Sequence, residues 1–201
     1  MYTDQLLVKY PLISDQVTIN QLRIILTALE GVQSKLDGSI VEFGCYIGTT
    51  SIFIRRLLDA YNDKREFHVY DSFAGLPQKT VHDASSAGDQ FQAGALTASK
   101  KQFIWQFHKA GLYPPTIHKG WFKDLTSADI PDSIAFAFLD GDFYESIRDS
   151  LLLVLPRMQQ GSVLIVDDYT REALPGAAKA VHELLPNTHI TPAHNLGIVH
   201  L

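Results

Sequence analysis

Ser39-Ile40-Val41-Glu42-Phe43-Gly44-Cys45-Tyr46-Ile47-Gly48-Thr49 is the stretch that decides the fold of this chain. Its first five residues read as a short buried strand. Gly44 then lets the backbone turn sharply and approach a ligand closely. From Thr49 to Leu58 the apolar residues return at helical spacing. Strand, glycine turn and helix in that order open an α/β unit. Upstream, Leu22, Ile25, Leu26, Leu29, Val32 and Leu36 predict a helix over 18–36, and Thr18 with Gln21 has the form of a capping box. Gly38 closes that pattern. The expected organisation is one domain over 1–201, with a helical cap at 1–38 and an α/β core at 39–201.

Downstream the alternation continues. Glu66–Asp71 reads as a second strand and Pro115–Gly120 as a third, with a helix over 97–110 between them. Ile134–Asp140 is a nearly continuous apolar run, the mark of a strand buried on both faces. A helix follows, with Ile147, Leu151, Val154, Leu155 and Met158 on one face. Gly161–Asp168 is a further buried strand, Pro175 starts a helix, and short strands near 189–192 and 197–201 finish the chain. This predicts a doubly wound, mostly parallel seven-stranded sheet with helices on both faces. The polar segment 78–95 reads as a long loop and is the expected lid.

Composition narrows the function classes. Net charge is −5 with no basic run, which makes the chain a poor candidate for binding a nucleic-acid backbone. No apolar run approaches the roughly 20 residues of a membrane helix. Met1–Gln5 shows no basic region followed by an apolar core, and Cys45 is the one cysteine; both lead to an expected cytoplasmic location.

In open parallel sheets, ligands bind beyond the carboxyl ends of the strands. Those ends here carry Gly44, Asp71, Asp140 and the pair Asp167-Asp168. An acid ending the second strand accepts hydrogen bonds from ribose hydroxyls, so Gly44 and Asp71 together describe a nucleoside site. The turn reads Glu-x-Gly-x-x-x-Gly, with Tyr46 where a dinucleotide turn has its central glycine. A bulky residue there suits S-adenosylmethionine, which has no pyrophosphate, and disfavours NAD. Adjacent strands lie about 4.8 Å apart, so acids at neighbouring ends meet. They repel unless a cation sits among them. An all-oxygen set calls for Mg²⁺ or another hard divalent ion and argues against zinc. Asp140, Asp167 and Asp168 are the expected metal set, while Asp142 is expected to cap the helix beginning near Tyr144.

Val69–Pro77, Lys119–Phe122, Leu139–Ser146 and Val166–Tyr169, in that order, resemble the macrocin O-methyltransferase family, which includes the mycinamicin and macrocin sugar O-methyltransferases. The resemblance covers the chain from about residue 22 to the end. It implies a class I, Rossmann-like methyltransferase fold whose last strand is antiparallel. It also implies an S-adenosylmethionine site with Mg²⁺ bound by Asp140, Asp167 and Asp168, and Asp140 as general base. The cofactor would be lined by Glu42, Phe43, Gly44, Tyr46, Gly48, Thr49, Asp71, Ser72, Phe73, Gly120, Trp121 and Asp140. The expected acceptor is a hydroxyl of a sugar or glycosylated small molecule, and self-association as a homodimer stays open. In one respect the chain departs from the family's macrolide enzymes, which carry more residues before the first strand than the 38 here. Two other readings stand beside this one: a catechol-type O-methyltransferase on the same metal, and a cofactor-binding module without transfer activity.

Some residues carry two readings at this point. Trp121 and Phe122 either flank the cofactor or pack into the core. Tyr144 and Tyr169 either shape the acceptor pocket or sit exposed on its rim. His194 either approaches the acceptor or is a plain surface or core residue, and Cys45 reads as a packed small side chain rather than a nucleophile.

Overall fold

The computed structural model describes residues 1–33 and 35–201. Its seven strands are β1 (Ser39–Phe43), β2 (Phe67–Asp71), β3 (Thr116–Lys119), β4 (Ile134–Leu139), β5 (Met158–Val166), β6 (Thr191–Ala193) and β7 (Leu196–His200). They form one sheet in the order β3-β2-β1-β4-β5-β7-β6. The pairs β2–β3, β1–β2, β1–β4 and β4–β5 are parallel, and β7 runs antiparallel to both β5 and β6. A two-residue turn at His194-Asn195, both with positive φ, makes the last hairpin.

The helices are α1 (Tyr2–Lys9), α2 (Ile19–Gln33), α3 (Thr49–Ala60), α4 (Lys100–Ala110), α5 (Tyr144–Val154) and α6 (Pro175–Leu184). The Thr18–Gln21 capping box forms as expected, with the Gln21 N–H on Thr18 Oγ1 at 3.2 Å and the Thr18 N–H on Gln21 Oε1 at 3.0 Å. Ser99 and Gln102 start α4 in the same way, and Gly111 ends it in the left-handed region. The helix α1 was not expected. It has only eight residues, and its first turn is held from outside: Glu30 accepts from Tyr2 N at 2.7 Å and from Thr3 Oγ1 at 2.7 Å.

Alternation along the strands splits the core in two. Ile40, Val69, Phe136 and Phe138 face the layer formed by α1–α4, while Val41, Ala137 and Leu139 face α5 and α6. On the second face a column of aligned rings crosses three strands. Phe43 stacks on its register partner Tyr70 at 4.3 Å, Tyr70 on its register partner His118 at 4.4 Å, and His118 lies 5.3 Å from His68. No helix among the described residues is long and apolar enough to cross a membrane.

The strand order reverses between β1 and β4, because β2 lies to one side of β1 and β4 to the other. The crevice at such a reversal is where open α/β sheets bind ligands.

Candidate active site

At the end of β1, Gly44 takes φ +85° and donates its N–H to Tyr70 O at 2.8 Å. A Cβ at this position would run into the backbone carbonyl of Asp140 on the next strand. Only glycine satisfies both the conformation and the space. The turn is then stitched to β2 by Asp71. Its Oδ2 accepts from Cys45 N at 2.8 Å and Tyr46 N at 3.1 Å, and its Oδ1 accepts from Phe73 N at 2.7 Å. A carboxylate has about four acceptor positions, so one on Oδ1 remains for a ligand hydroxyl.

A cleft lies above these turns, walled by both apolar and polar side chains. Of the residues expected around a cofactor, Gly44, Tyr46, Asp71, Ser72, Trp121 and Asp140 line it. Glu42, Phe43, Gly48, Thr49, Phe73 and Gly120 stand behind that wall. Glu42 is buried within β1, where its Oε2 accepts from Ser51 Oγ at 2.6 Å, and burial pushes its carboxyl up to about 8. Phe43 belongs to the ring column. Thr49 shares a 2.7 Å hydrogen bond with Ser14, and Phe73 packs edge-on against Phe103. Gly48 is the left-handed N-cap of α3, and Gly120 donates its N–H to Asp71 O at 3.0 Å.

Next to Gly44 the acids gather. Asp140, Asp142 and Asp168 each turn a carboxylate oxygen to within 4.8 Å of the others. Asp167 stands beside this group, its Oδ1 engaged by Gln21 Nε2 at 3.0 Å and by Asp168 N at 2.8 Å. The convergent set therefore contains Asp142 as well as two of the three expected acids. Asp142 does not cap α5. It takes φ +59°, and a tight turn in which Phe143 N donates to Gly141 O at 2.7 Å folds it back toward the cluster. Burial, then the neighbouring acids, push Asp140 and Asp142 well above the carboxylate range. Burial and then Asp168 push Asp167 up to about 7. Arg171 supplies the single basic side chain on the wall among the described residues, with Nη1 at 2.9 Å from Asp168 Oδ1 and its guanidinium 4.9 Å above the Phe91 ring.

The segment 78–95, the expected lid, reaches the cleft through Phe91, and it is anchored. Phe91 is buried with Leu76, Phe143, Ala173 and Leu174. Asp83, 1% exposed, sits in a 3₁₀ turn at Val81–Asp83. Its Oδ2 accepts from Thr80 N and Thr80 Oγ1, both at 2.9 Å, and its Oδ1 accepts from Tyr144 N at 2.7 Å. The lid thus caps α5, the role expected of Asp142. Trp121 is on the wall, while Phe122 both lines the cleft and packs edge-on against Phe43 at 5.2 Å. The Tyr144 hydroxyl is bound to Glu183 and that of Tyr169 to His182, so neither reaches the cleft. His194 is exposed in the last hairpin turn. Sequence reading had no signal for Gln16, Leu96 or Arg171 on the wall. Leu76, Pro77 and Phe91 lay in segments already singled out, without an assigned contact.

Three comparisons bear on this cleft. The family model described as macrocin-O-methyltransferase matches residues 7–195. The 8-demethyl-8-(2,3-dimethoxy-alpha-L-rhamnosyl)-tetracenomycin-C 4'-O-methyltransferase of Streptomyces olivaceus is 36% identical over 156 residues, covering 74% of this chain and 58% of that one. The demethyldecarbamoylnovobiocin O-methyltransferase of Streptomyces niveus is 32% identical over 162 residues, covering 76% and 61%. Among solved structures, the O-methyltransferase NovP superposes with a TM-score of 0.79 at 27% identity, covering 92% of this chain and 80% of its own. The chain spans about three fifths of the length of the curated relatives it matches.

Proposed function

This chain belongs to the macrocin O-methyltransferase family, and from that premise we propose that it moves a methyl group from S-adenosylmethionine to a hydroxyl of a sugar or glycosylated small molecule, assisted by Mg²⁺ or a similar divalent cation. One observation carries the reading: Asp140 belongs to both halves of the site. Its backbone carbonyl lies where a side chain on Gly44 would have to go, and its carboxylate belongs to the acid cluster. A cofactor on the glycine turn and an acceptor at the acids are therefore neighbours.

The residues present fit both groups. The turn leaves Gly44 backbone open to the cleft, and Asp71 keeps an acceptor position for a ribose hydroxyl. The acid cluster is an all-oxygen donor set whose members burial pushes toward protonation, which a hard divalent cation would relieve. When bound, the sulfonium supplies the methyl group, and the cation lowers the pKa of the acceptor hydroxyl. The protein's own residues do the rest. Asp140, which stands beside the Gly44 turn and within the acid cluster, takes the hydroxyl proton. Asp71 and the Gly44 turn hold the donor against the acids, which replaces a two-body encounter by positioning. Leu76, Phe91 and Leu96 give the wall an apolar stretch for the aglycone and exclude water. Net charge of −5 and an acidic floor disfavour nucleic acid as partner. A single cysteine, Cys45, with no intramolecular disulfide possible, suits a reducing cytoplasm.

The test uses labelled S-adenosylmethionine with a panel of rhamnosides and deoxyhexosides beside a simple catechol. Label should enter a glycoside with Mg²⁺ present and vanish in excess chelator, and Asp140→Asn should lose transfer while still binding S-adenosylhomocysteine. Full transfer in chelator would overturn the cation's part. Transfer to the catechol alone would move the acceptor class.

A further inference from the structure

Gln21, the third residue of the α2 N-terminus, is 7% exposed and uses both ends of its amide. Oε1 accepts from Thr18 N at 3.0 Å and from Thr18 Oγ1 at 2.8 Å. Nε2 donates to Asp167 Oδ1 at 3.0 Å, across 146 residues of chain. The orientation of the amide follows from chemistry. Turned over, its oxygen would face a carboxylate and its NH₂ would face a backbone N–H.

A capping box accepts glutamate or glutamine at this position alike. The contact with Asp167 does not. Glutamate would set a carboxylate against a carboxylate, and methionine or leucine would offer no donor. The helix cap alone leaves the choice open, and the acid at the far end of the chain closes it.

We propose that Gln21 is a positioning residue of the site: it clamps Asp167 so that the mouth of the acid cluster is formed by Asp140, Asp142 and Asp168. The clamp has a second jaw, since Asp168 N donates to the same Oδ1 at 2.8 Å. Asp167 therefore holds the backbone of Asp168 while Gln21 holds Asp167. Asp168 takes φ +56°, in the left-handed region that aspartate enters more readily than most side chains, and this pair of hydrogen bonds holds it there. In this way the N-terminal helical layer reaches the chemistry without lining the cluster. Outer-shell partners of ion-binding carboxylates typically change ion affinity by about 10–100-fold when removed.

The inference rests on the proposed cation-assisted reading for one of its two readouts only. In the full chain, Gln21→Glu keeps the capping box and breaks the clamp, and Gln21→Met breaks the clamp without adding charge. Amide hydrogen exchange at Asp168 should quicken at least about tenfold in both variants, with Val166 unchanged and S-adenosylhomocysteine affinity held within about twofold. Mn²⁺ affinity, read by paramagnetic resonance, should weaken about 10–100-fold in Gln21→Met, and Asp167→Asn should add nothing to that loss. Unchanged exchange at Asp168 in Gln21→Glu overturns the clamp. So does a loss of Mn²⁺ that adds in full to that of Asp167→Asn, or exchange that rises equally through β5. A wild-type chain that binds no Mn²⁺ would sink the cation in the proposed function, and the exchange at Asp168 would then decide the clamp alone.

Discussion

Gly44 and Glu42 are two residues apart and make opposite demands. Gly44 is fixed by space: a methyl group there meets the Asp140 carbonyl, and φ +85° is strained for any other residue. Gly44→Ala should therefore weaken S-adenosylhomocysteine binding at least about tenfold, as 1.4 kcal/mol of strain or displacement already does, within the 1–3 kcal/mol typical of such positions. Calorimetric titration reads this, and wild-type affinity in the variant would refute it. Glu42 is fixed by charge. Its carboxyl is pushed from 4.5 to about 8, so between those values the folded chain keeps a proton that the unfolded chain gives up. Stability from this group is then lost as pH rises through that window. Asp167, pushed up to about 7, acts in the same direction, so the informative quantity is the difference between variant and wild type. Glu42→Gln should lose less thermal stability than wild type between pH 5 and pH 8, and at pH 8 should melt higher. Parallel melting curves across that range would exclude the shift.

At the scale of elements, α5 borrows its cap from the lid. Phe143, its own N-cap residue, offers no side-chain bond, and Asp83 supplies it instead. Asp83→Ala would leave a buried N–H without a partner, at a cost of about 1–3 kcal/mol. The melting point should fall by several degrees, at about 2–4 °C per kcal/mol for a chain of this size. The lid over 78–91 should become the first site of proteolytic cleavage, and unchanged melting with an uncut lid would refute the cap. What sequence reading reached and what it missed divide along the same line. The strands, the glycine turn, Asp71 and Asp140 were legible because their signal is local: an apolar run, a glycine, an acid at the strand's end. Asp83 to Tyr144 spans 61 residues and Gln21 to Asp167 spans 146, and no local pattern encodes such a pairing. Asp142 was misread as a cap for the same reason. A positive φ in a turn cannot be told from a capping conformation until the residue that really caps is known. Helix α1 is docked by Glu30 and by the Arg23–Asp4 ion pair, again contacts made at a distance.

For the whole molecule, the sheet brings repelling acids together where its strand order reverses, and folding bears that cost. A divalent ion that binds only the folded chain should return it. At about 100 times its dissociation constant it adds about 2.7 kcal/mol, a rise in melting point of about 5–10 °C. Thermal denaturation with Mg²⁺ or Mn²⁺ reads this directly. The shift should reverse with chelator and vanish in Asp168→Asn, and its absence in wild type would count against cation binding. The ring column formed by Phe43, Tyr70, His118 and His68 offers another view of the same assembly. Phe43 and Tyr70, stacked in register across β1 and β2, hold two near-ultraviolet chromophores in a fixed, asymmetric arrangement. Their share of the near-ultraviolet circular dichroism is thus an optical signature of the cofactor half of the sheet, distinct in origin from the signals of Trp105 and Trp121. That share would disappear as β1 and β2 part, and so gives the molecule a spectroscopic clock for the order in which its two halves come together.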